Sequence, residues 1–194
     1  MFTIKDGRRI QLGRLTPLDY QDLESYLQQL SPETRQRFGP HRFDLSSIIE
    51  QYINPGSYLG FIARDEDSGA IIAYSILKKG FLEHERERLQ SYGLATDHHN
   101  DYTFAPSVSD AWQGKGVGQY VFRHICNELS LMGAQRIILW GGVQCSNERA
   151  VHYYLKNGFR VLGMFEYNGR NYDMILENLY FKGNSPGVSG LFGR

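Results

Sequence analysis

Six residues, Gln113-Gly114-Lys115-Gly116-Val117-Gly118, constrain this chain more than any other stretch. Residues 102–108 before them read as a strand, and residues 117–132 after them place Val121, Ile125, Leu129 and Met132 on one face at helical spacing. The glycines therefore join a strand to a helix N-terminus. Gly114, Gly116 and Gly118 permit positive φ and leave no Cβ beside a ligand, so successive backbone N–H groups can converge on an anion that the helix dipole already favours. Lys115 adds a positive charge at the rim. The stretch reads as a pyrophosphate site.

Neither familiar nucleotide fingerprint fits. A Walker A loop needs Ser or Thr after its lysine, and here Gly116 follows Lys115. A dinucleotide fingerprint needs Gly-x-Gly-x-x-Gly and an acid after the next strand; residues 136–143 end in Gly141-Gly142-Val143 without one.

A second block changes the weight of the first. Asn147 to Phe159 reads as a helix capped by Asn147, stopped at Gly158 and turning into a strand at Phe159. Gln113-Gly114-Lys115-Gly116-Val117-Gly118 followed by Asn147, Ala150, Tyr154 and Gly158-Phe159 resembles the acyl-CoA signature of the GCN5-related N-acetyltransferase (GNAT) family. Order and spacing match over residues 9–177, with residues 108–159 the specific part.

The rest of the chain is organised compatibly. Residues 9–15 alternate like a first strand, Thr16-Pro17-Leu18-Asp19 opens a helix through Leu30, Ser31-Pro32 starts a short helix, and residues 45–52 are helical. Residues 58–63 and 70–77 flank a polar turn as a hairpin, and residues 159–164 and 172–177 close the sheet. The expectation is an α/β fold: a mixed, mostly antiparallel sheet of about six to seven strands, helices on both faces, splayed at the acyl-CoA site. Residues 1–177 form one domain and residues 178–194 a Gly/Ser-rich tail, with Glu177 to Gly183 continuing a strand natively, although all but Lys182 match a common protease recognition sequence.

Composition sets bounds. With 21 basic and 21 acidic residues there is no electrostatic case for nucleic acid or an anionic membrane. No apolar run spans a bilayer and residues 1–11 carry no signal-peptide core, which reads as cytoplasmic. The mixed run from Glu83 to Arg88 reads as a solvated helix face. Two cysteines make neither a disulfide framework nor a zinc site: Cys126 falls inside a helix as a small hydrophobe, and no histidine or acid has a sequence reason to sit beside Cys145. No spacing pairs His84, His98 and His99 into a metal site.

The resemblance implies direct transfer of acetyl from acetyl-CoA, as co-substrate, to a primary amine of a protein, peptide or small molecule. It implies that the N–H groups from Gln113 to Gln119 hold the pyrophosphate and that Val108, with Ser107 and Ser109, aligns the pantetheine along an opened strand edge, one N–H near Val108 facing the thioester oxygen. Pro106 suits such an edge better than a regular central strand. Tyr154 stands where the family commonly has the acid that protonates the departing thiolate, and Asn147 caps its helix and contacts the cofactor. Monomer and homodimer are equally compatible.

One position departs from the pattern. Many relatives carry a glutamate as general base five residues before the position of Val108, and here that residue is Thr103. Glu83, Glu85 and Asp101 flank the long connection at residues 80–101 and are within reach of the acceptor side, for which Tyr52, Tyr58, Phe81 and Tyr92 supply aromatic walls. Residues 31–38, with Arg35 and Arg37, resemble the opening of bacterial protein-lysine acetylase domains and incline the acceptor towards a protein or peptide amine. Thr103 favours an alternative, a non-catalytic acyl-CoA sensor; Tyr154 favours catalysis, which is the expectation.

Overall fold

The computed structural model describes residues 2–4 and 7–177; the expected tail at 178–194 lies outside them. Among the described residues nine strands form one sheet: β1 (Phe2–Thr3), β2 (Arg9–Arg14), β3 (Tyr58–Asp65), β4 (Ile71–Lys79), β5 (Asp101–Val108), β6 (Arg136–Leu139), β7 (Val143–Gln144), β8 (Arg160–Glu166) and β9 (Arg170–Glu177). Their order is β1-β2-β3-β4-β5-β6-β9-β7, with β8 also on β9. Every pairing is antiparallel except β5 with β6. The two strands beyond the expected six to seven have local causes. A short N-terminal strand pairs with β2, and the strand expected over residues 136–143 breaks at Gly141 and Gly142, whose φ values are 67° and 69°.

Among the described residues there are six α-helices: α1 (Tyr20–Gln29), α2 (Pro32–Gln36), α3 (Leu45–Tyr52), α4 (Arg86–Ser91), α5 (Val117–Leu131) and α6 (Glu148–Lys156). The helix expected from Thr16 opens instead as a 3-10 turn at Pro17–Asp19, where Asp19 accepts from the Thr16 N–H at 2.8 Å, before α1 begins. Ser31, Asp44 and Asn147 each accept a backbone N–H from three residues on and so cap α2, α3 and α6.

Alternation along the strands sorts the core into two layers. On one face Phe61, Ala73, Leu77 and Phe104 meet Val121, Phe122, Ile125 and Leu129 of α5. On the other, Ile62, Tyr74, Ile76 and Ala105 meet Leu23, Leu27 and Ile48 of α1 and α3. Side chains of this size, nearly all below a few percent exposed, contribute roughly 1.5–3 kcal/mol each on burial, so both helical layers are firmly held. No described helix is long and apolar enough to cross a membrane.

In the mixed charge run Glu83, His84, Arg86 and Glu87 are exposed as expected, and one residue departs. Glu85 is 1% exposed rather than solvated: it lies in a 3-10 turn at Glu83–Glu85, and Arg88 of α4 bridges it to the equally buried Asp173 of β9 at 2.8 Å each. The long connection is thereby fastened across the sheet.

Candidate active site

β5 and β6 pair only over Asp101–Phe104 and Arg136–Leu139. The Trp140 N–H makes the last bond between them, to the Phe104 carbonyl at 2.9 Å, and β7 then follows β9 instead of β5. On its other side β5 stays in register with β4 from Tyr102 to Val108, and the Ser109 N–H donates to Ile72 at 2.9 Å. Backbone groups alternate sides along a strand, so Ser109 bonded to β4 and Phe104 bonded towards β6 fix the rest: Pro106 and Val108 face the gap. Pro106 loses no ladder bond there. Among residues 105–108, the Val108 N–H is the one donor turned to the open edge, while its carbonyl accepts the Gln113 side-chain amide at 2.9 Å.

The glycine turn closes this edge from above. Gly114 and Gly116 have φ of 76° and 91°, and a Cβ on either would meet nothing within 4 Å, so a cradle stands open beside them. Gly118, where positive φ was permitted, is ordinary helix; a Cβ there would meet Tyr153 and Val108 at 3.6 Å, and the Tyr153 hydroxyl donates to its carbonyl at 3.0 Å. The first helical bond of α5 runs from Tyr120 N to Gly116 O, leaving the N–H groups of Val117, Gly118 and Gln119 without partners inside the helix. Lys115 and Gln119 are half-buried at the rim, whereas the Val117 side chain is buried in the core, so only its backbone faces a ligand. Asn147 has its side-chain oxygen on the Ala150 N–H at 3.2 Å, a plain cap in geometry.

Tyr154 is buried on α6 with its ring between Tyr153 and Phe159, centroids 5.3 Å from each. Burial raises its pKa above the ordinary 10.0, holding the phenol protonated. Its hydroxyl makes no hydrogen bond among the described residues and is not among their enclosed unpaired oxygens. Ser107, expected to help align pantetheine, points away: its hydroxyl bonds Tyr26 at 3.0 Å and the Tyr74 carbonyl at 3.2 Å. The Ser109 N–H is likewise spent on β4.

The residues 23–159 match the model of the acetyltransferase (GNAT) family. The chain belongs to this family. With membership come acetyl transfer as its activity and acetyl-CoA as co-substrate. Solved structures agree in fold. The GNAT domain of S. lividans PAT is 21% identical, with 91% of this chain and 95% of that one covered at a TM-score of 0.71. AAC(6')-Ib, solved with paromomycin and acetyl-CoA, is 22% identical, with 92% and 99% covered at 0.66. Spermidine N-acetyltransferase from Vibrio cholerae, solved with CoA and spermine, is 19% identical, with 87% and 95% covered at 0.62. No curated protein matches the sequence significantly.

In this GNAT chain the face opposite α5 carries two adjoining cavities that share Asn54 and Tyr58. One, of about 550 Å³, is lined by His41, Ser47, Glu50 and Gln51; the other, of about 420 Å³, by Ser57, Lys78, Lys79 and His98. Tyr58 stacks on Trp140 with centroids 6.2 Å apart, which brings both to the apex of the splay. Of the other expected wall aromatics, Phe81 stacks under His98 at 4.0 Å, Tyr52 bonds the buried Tyr74 hydroxyl at 2.6 Å, and Tyr92 packs against Gly163 of β8.

The acids proposed for the base fare unequally. Asp101 is fully buried and held by Arg136 at 2.6 Å, and Glu85 is enclosed with Arg88, so neither faces the cavities. Thr103 is fully buried and donates to the Gly80 carbonyl at 2.9 Å. Sequence reasoning missed Asp110. Its carboxylate accepts from Ser31 N (3.0 Å), Ser31 Oγ (2.9 Å) and Thr34 Oγ1 (2.7 Å), tying the glycine turn to the start of α2. Desolvation pulls its pKa up, but these hydrogen bonds outweigh it and hold the carboxyl below 3.8.

Proposed function

We propose that this protein is an N-acetyltransferase that passes the acetyl group of acetyl-CoA directly to a primary amine within a ternary complex, the unit spanning residues 1–177. The observation that carries the reading is the open β5 edge, whose single gap-facing donor, the Val108 N–H, adjoins the three unpartnered N–H groups that begin α5. Acetyl-CoA supplies the activated thioester. The N–H groups of Val117, Gly118 and Gln119, with the turn from Gln113 through Gly116 and Lys115, hold its pyrophosphate. The Val108 N–H faces the carbonyl oxygen and stabilises the charge that develops there, and Asn147 contacts the cofactor beside its capping role.

Tyr154 donates the proton that the departing thiolate needs. Burial keeps the phenol protonated and the proton in place, although the raised pKa makes it a weaker acid than a thiol, which ordinarily titrates near ~8.5. Direct transfer is favoured over an acyl-enzyme because the Cys126 thiol is buried in α5 with its pKa pushed up to about 12, and the half-buried Cys145 has no histidine or acid hydrogen-bonded to its sulfur among the described residues to activate it. The acceptor occupies the cavities around Tyr58, whose aromatic face, stacked on Trp140, and the rim carboxylate of Glu50 suit an amine presented by a peptide or a small molecule. Relatives crystallised with spermine and with an aminoglycoside support an amine acceptor of that kind.

Calorimetric titration with acetyl-CoA, followed by thiol release against lysine peptides, polyamines and aminoglycosides, tests this. Acceptor-dependent release is the expected result. Binding without release across the panel would make the chain an acyl-CoA sensor, and absence of binding would refute the site.

A further inference from the structure

Strand register lays the acceptor face out along one axis. Tyr74, Ile76 and Lys78 alternate onto that face of β4, opposite Ser107, Ala105 and Thr103 of β5. Trp140 makes the last bond to β5 at Phe104, so Ile76 and Ala105 lie at the apex of the splay. The first cavity reaches the Tyr74 end, because its His41 bonds the Tyr74 hydroxyl at 3.0 Å. The second cavity opens at the Lys78 end. With a rise of about 3.3 Å per strand residue, Lys78 stands roughly 7 Å from Ile76 and roughly 13 Å from Tyr74.

The two ends differ in charge. Glu50 and Arg42 both line the first cavity without an ion pair among the described residues, so the carboxylate that draws an amine is balanced by a guanidinium. Among the described residues no acid lines the second. There Lys78 Nζ donates to the carbonyls of Phe81 at 2.9 Å and Lys79 at 3.2 Å, which leaves a third N–H unused and the charge unmatched. Glu83, the carboxylate whose field reaches Lys78, is held by Arg86 at 2.6 Å and by His98 at 2.7 Å. Desolvation lowers the Lys78 pKa below 10.5 in spite of Glu83, the mark of an ammonium short of counter-charge. Asn54 and Ser57 line the same cavity, and their side chains make no hydrogen bond among the described residues. Lys79 borders it from the next position, where alternation turns the side chain to the α5 face.

Resting on the acetyltransferase reading above, we infer that the acceptor is an amine that also carries a carboxylate or phosphate, the amine lying in the first cavity beside Glu50 and the anion closing on Lys78 in the second. Lys78 is then the residue that sets specificity, an anchor remote from the reacting atoms, with the Ser57 hydroxyl and the Asn54 amide as further donors to the anion. The strand spacing asks for amine and anion about 7–13 Å apart, which an ω-amino acid or a lysine with an acidic residue close by in an extended peptide provides. A polyamine brings positive charge to Lys78 instead and is disfavoured.

The test measures thiol release from acetyl-CoA with acceptors that differ only in the remote charge: ω-aminohexanoate against its amide and against diaminohexane, and a Lys-Ala-Glu peptide against Lys-Ala-Gln and Lys-Ala-Lys. Wild type should prefer the acid over its amide by about tenfold in kcat/KM, carried mainly by KM, with the diamine and the Lys-Ala-Lys peptide poorest. The pair that shows the preference tells a free amino acid from an acidic peptide. In about 1 M salt, where the Debye length is near 3 Å, the ratio should shrink towards one. Lys78→Met should abolish the preference, Lys78→Arg should keep it and Lys78→Glu should invert it towards the diamine, each with acetyl-CoA affinity by calorimetry retained as the check on folding. Acid and amide used equally in both pairs, or a preference that survives Lys78→Met, would overturn this assignment and leave the transferase standing. Absence of thiol release from wild type with every acceptor would overturn the transferase reading and this one with it.

Discussion

Replacing Arg88 with methionine should expose how much of the acceptor side depends on one guanidinium. Arg88 donates to Asp173 at 2.8 and 3.2 Å and to Glu85 at 2.8 Å, and the two carboxylate side chains are 1% and 2% exposed. Its head also lies 3.8 Å over the Phe165 ring. Removing one partner of a buried ion pair costs about 3–5 kcal/mol, and because Arg88 keeps 25% of its side chain in water the lower half of that range applies. With roughly 0.5–1 kcal/mol for the lost cation–π contact, Arg88→Met should cost about 4 kcal/mol. At about 2–4 °C per kcal/mol for a chain of this size, Tm falls by roughly 8–16 °C.

The loss must also depend on pH with a definite sign. Burial raises the Glu85 pKa above 4.5 in the folded protein despite Arg88, so the fold binds this proton more tightly than the unfolded chain does. Its contribution is complete below 4.5 and is lost as pH rises through the folded value. Without Arg88 that folded value climbs further, so the deficit of Arg88→Met relative to wild type should be largest near pH 8 and shrink towards pH 5. Thermal unfolding across that range decides it, with the triple variant Arg88→Met, Glu85→Gln, Asp173→Asn expected to recover much of the loss. A deficit under about 1 kcal/mol, or one equal at both pH values, would refute the claim that the guanidinium neutralises buried charge here.

Tyr154→Phe should lower kcat by about a hundredfold while acetyl-CoA affinity by calorimetry stays within twofold; wild-type turnover would remove Tyr154 as the acid. Gly116→Trp places a bulky side chain in the open cradle at φ 91° and should abolish acetyl-CoA binding while circular dichroism shows the fold intact. Asp110→Ala should lower Tm by roughly 2–8 °C, since it strips the cap network from Ser31 and Thr34, and should weaken acetyl-CoA binding by loosening Gln113. Because the folded Asp110 pKa is depressed, the stability it provides is present above 3.8 and lost as pH falls through the folded value, an acid-side slope that Asp110→Asn should flatten.

Legibility in the sequence followed the range of the interactions. Helices α5 and α6 were readable because cap, periodicity and stop lie within one segment: Asn147 caps, Tyr154 packs inward and Gly158 ends the helix at φ 88°. The open edge was half readable. Pro106 announced a strand that needs no ladder bond on one face, but which face depends on where β6 leaves β5, and that is set by Gly141 and Gly142 some 35 residues on. Glu85, Asp101 and Asp110 were unreadable because an acid declares nothing about its partner: the Arg88 that Glu85 meets three residues on is shared with Asp173 of β9, and Arg136, Ser31 and Thr34 come to Asp101 and Asp110 from distant elements. His98 shows the same limit. As a loop histidine it carried no pattern, and only folding sets it on Gly80, beside Glu83 and above Thr103. The threonine that departs from the family pattern and the histidine that stands over it are five residues apart in sequence, yet it is the carbonyl of Gly80, held by Thr103 and covered by His98, that joins them. A carboxylate at position 103 would meet that carbonyl with its own negative charge, whereas the threonine hydroxyl donates to it, so the residue that departs from the family pattern is the one that satisfies the buried Gly80 carbonyl.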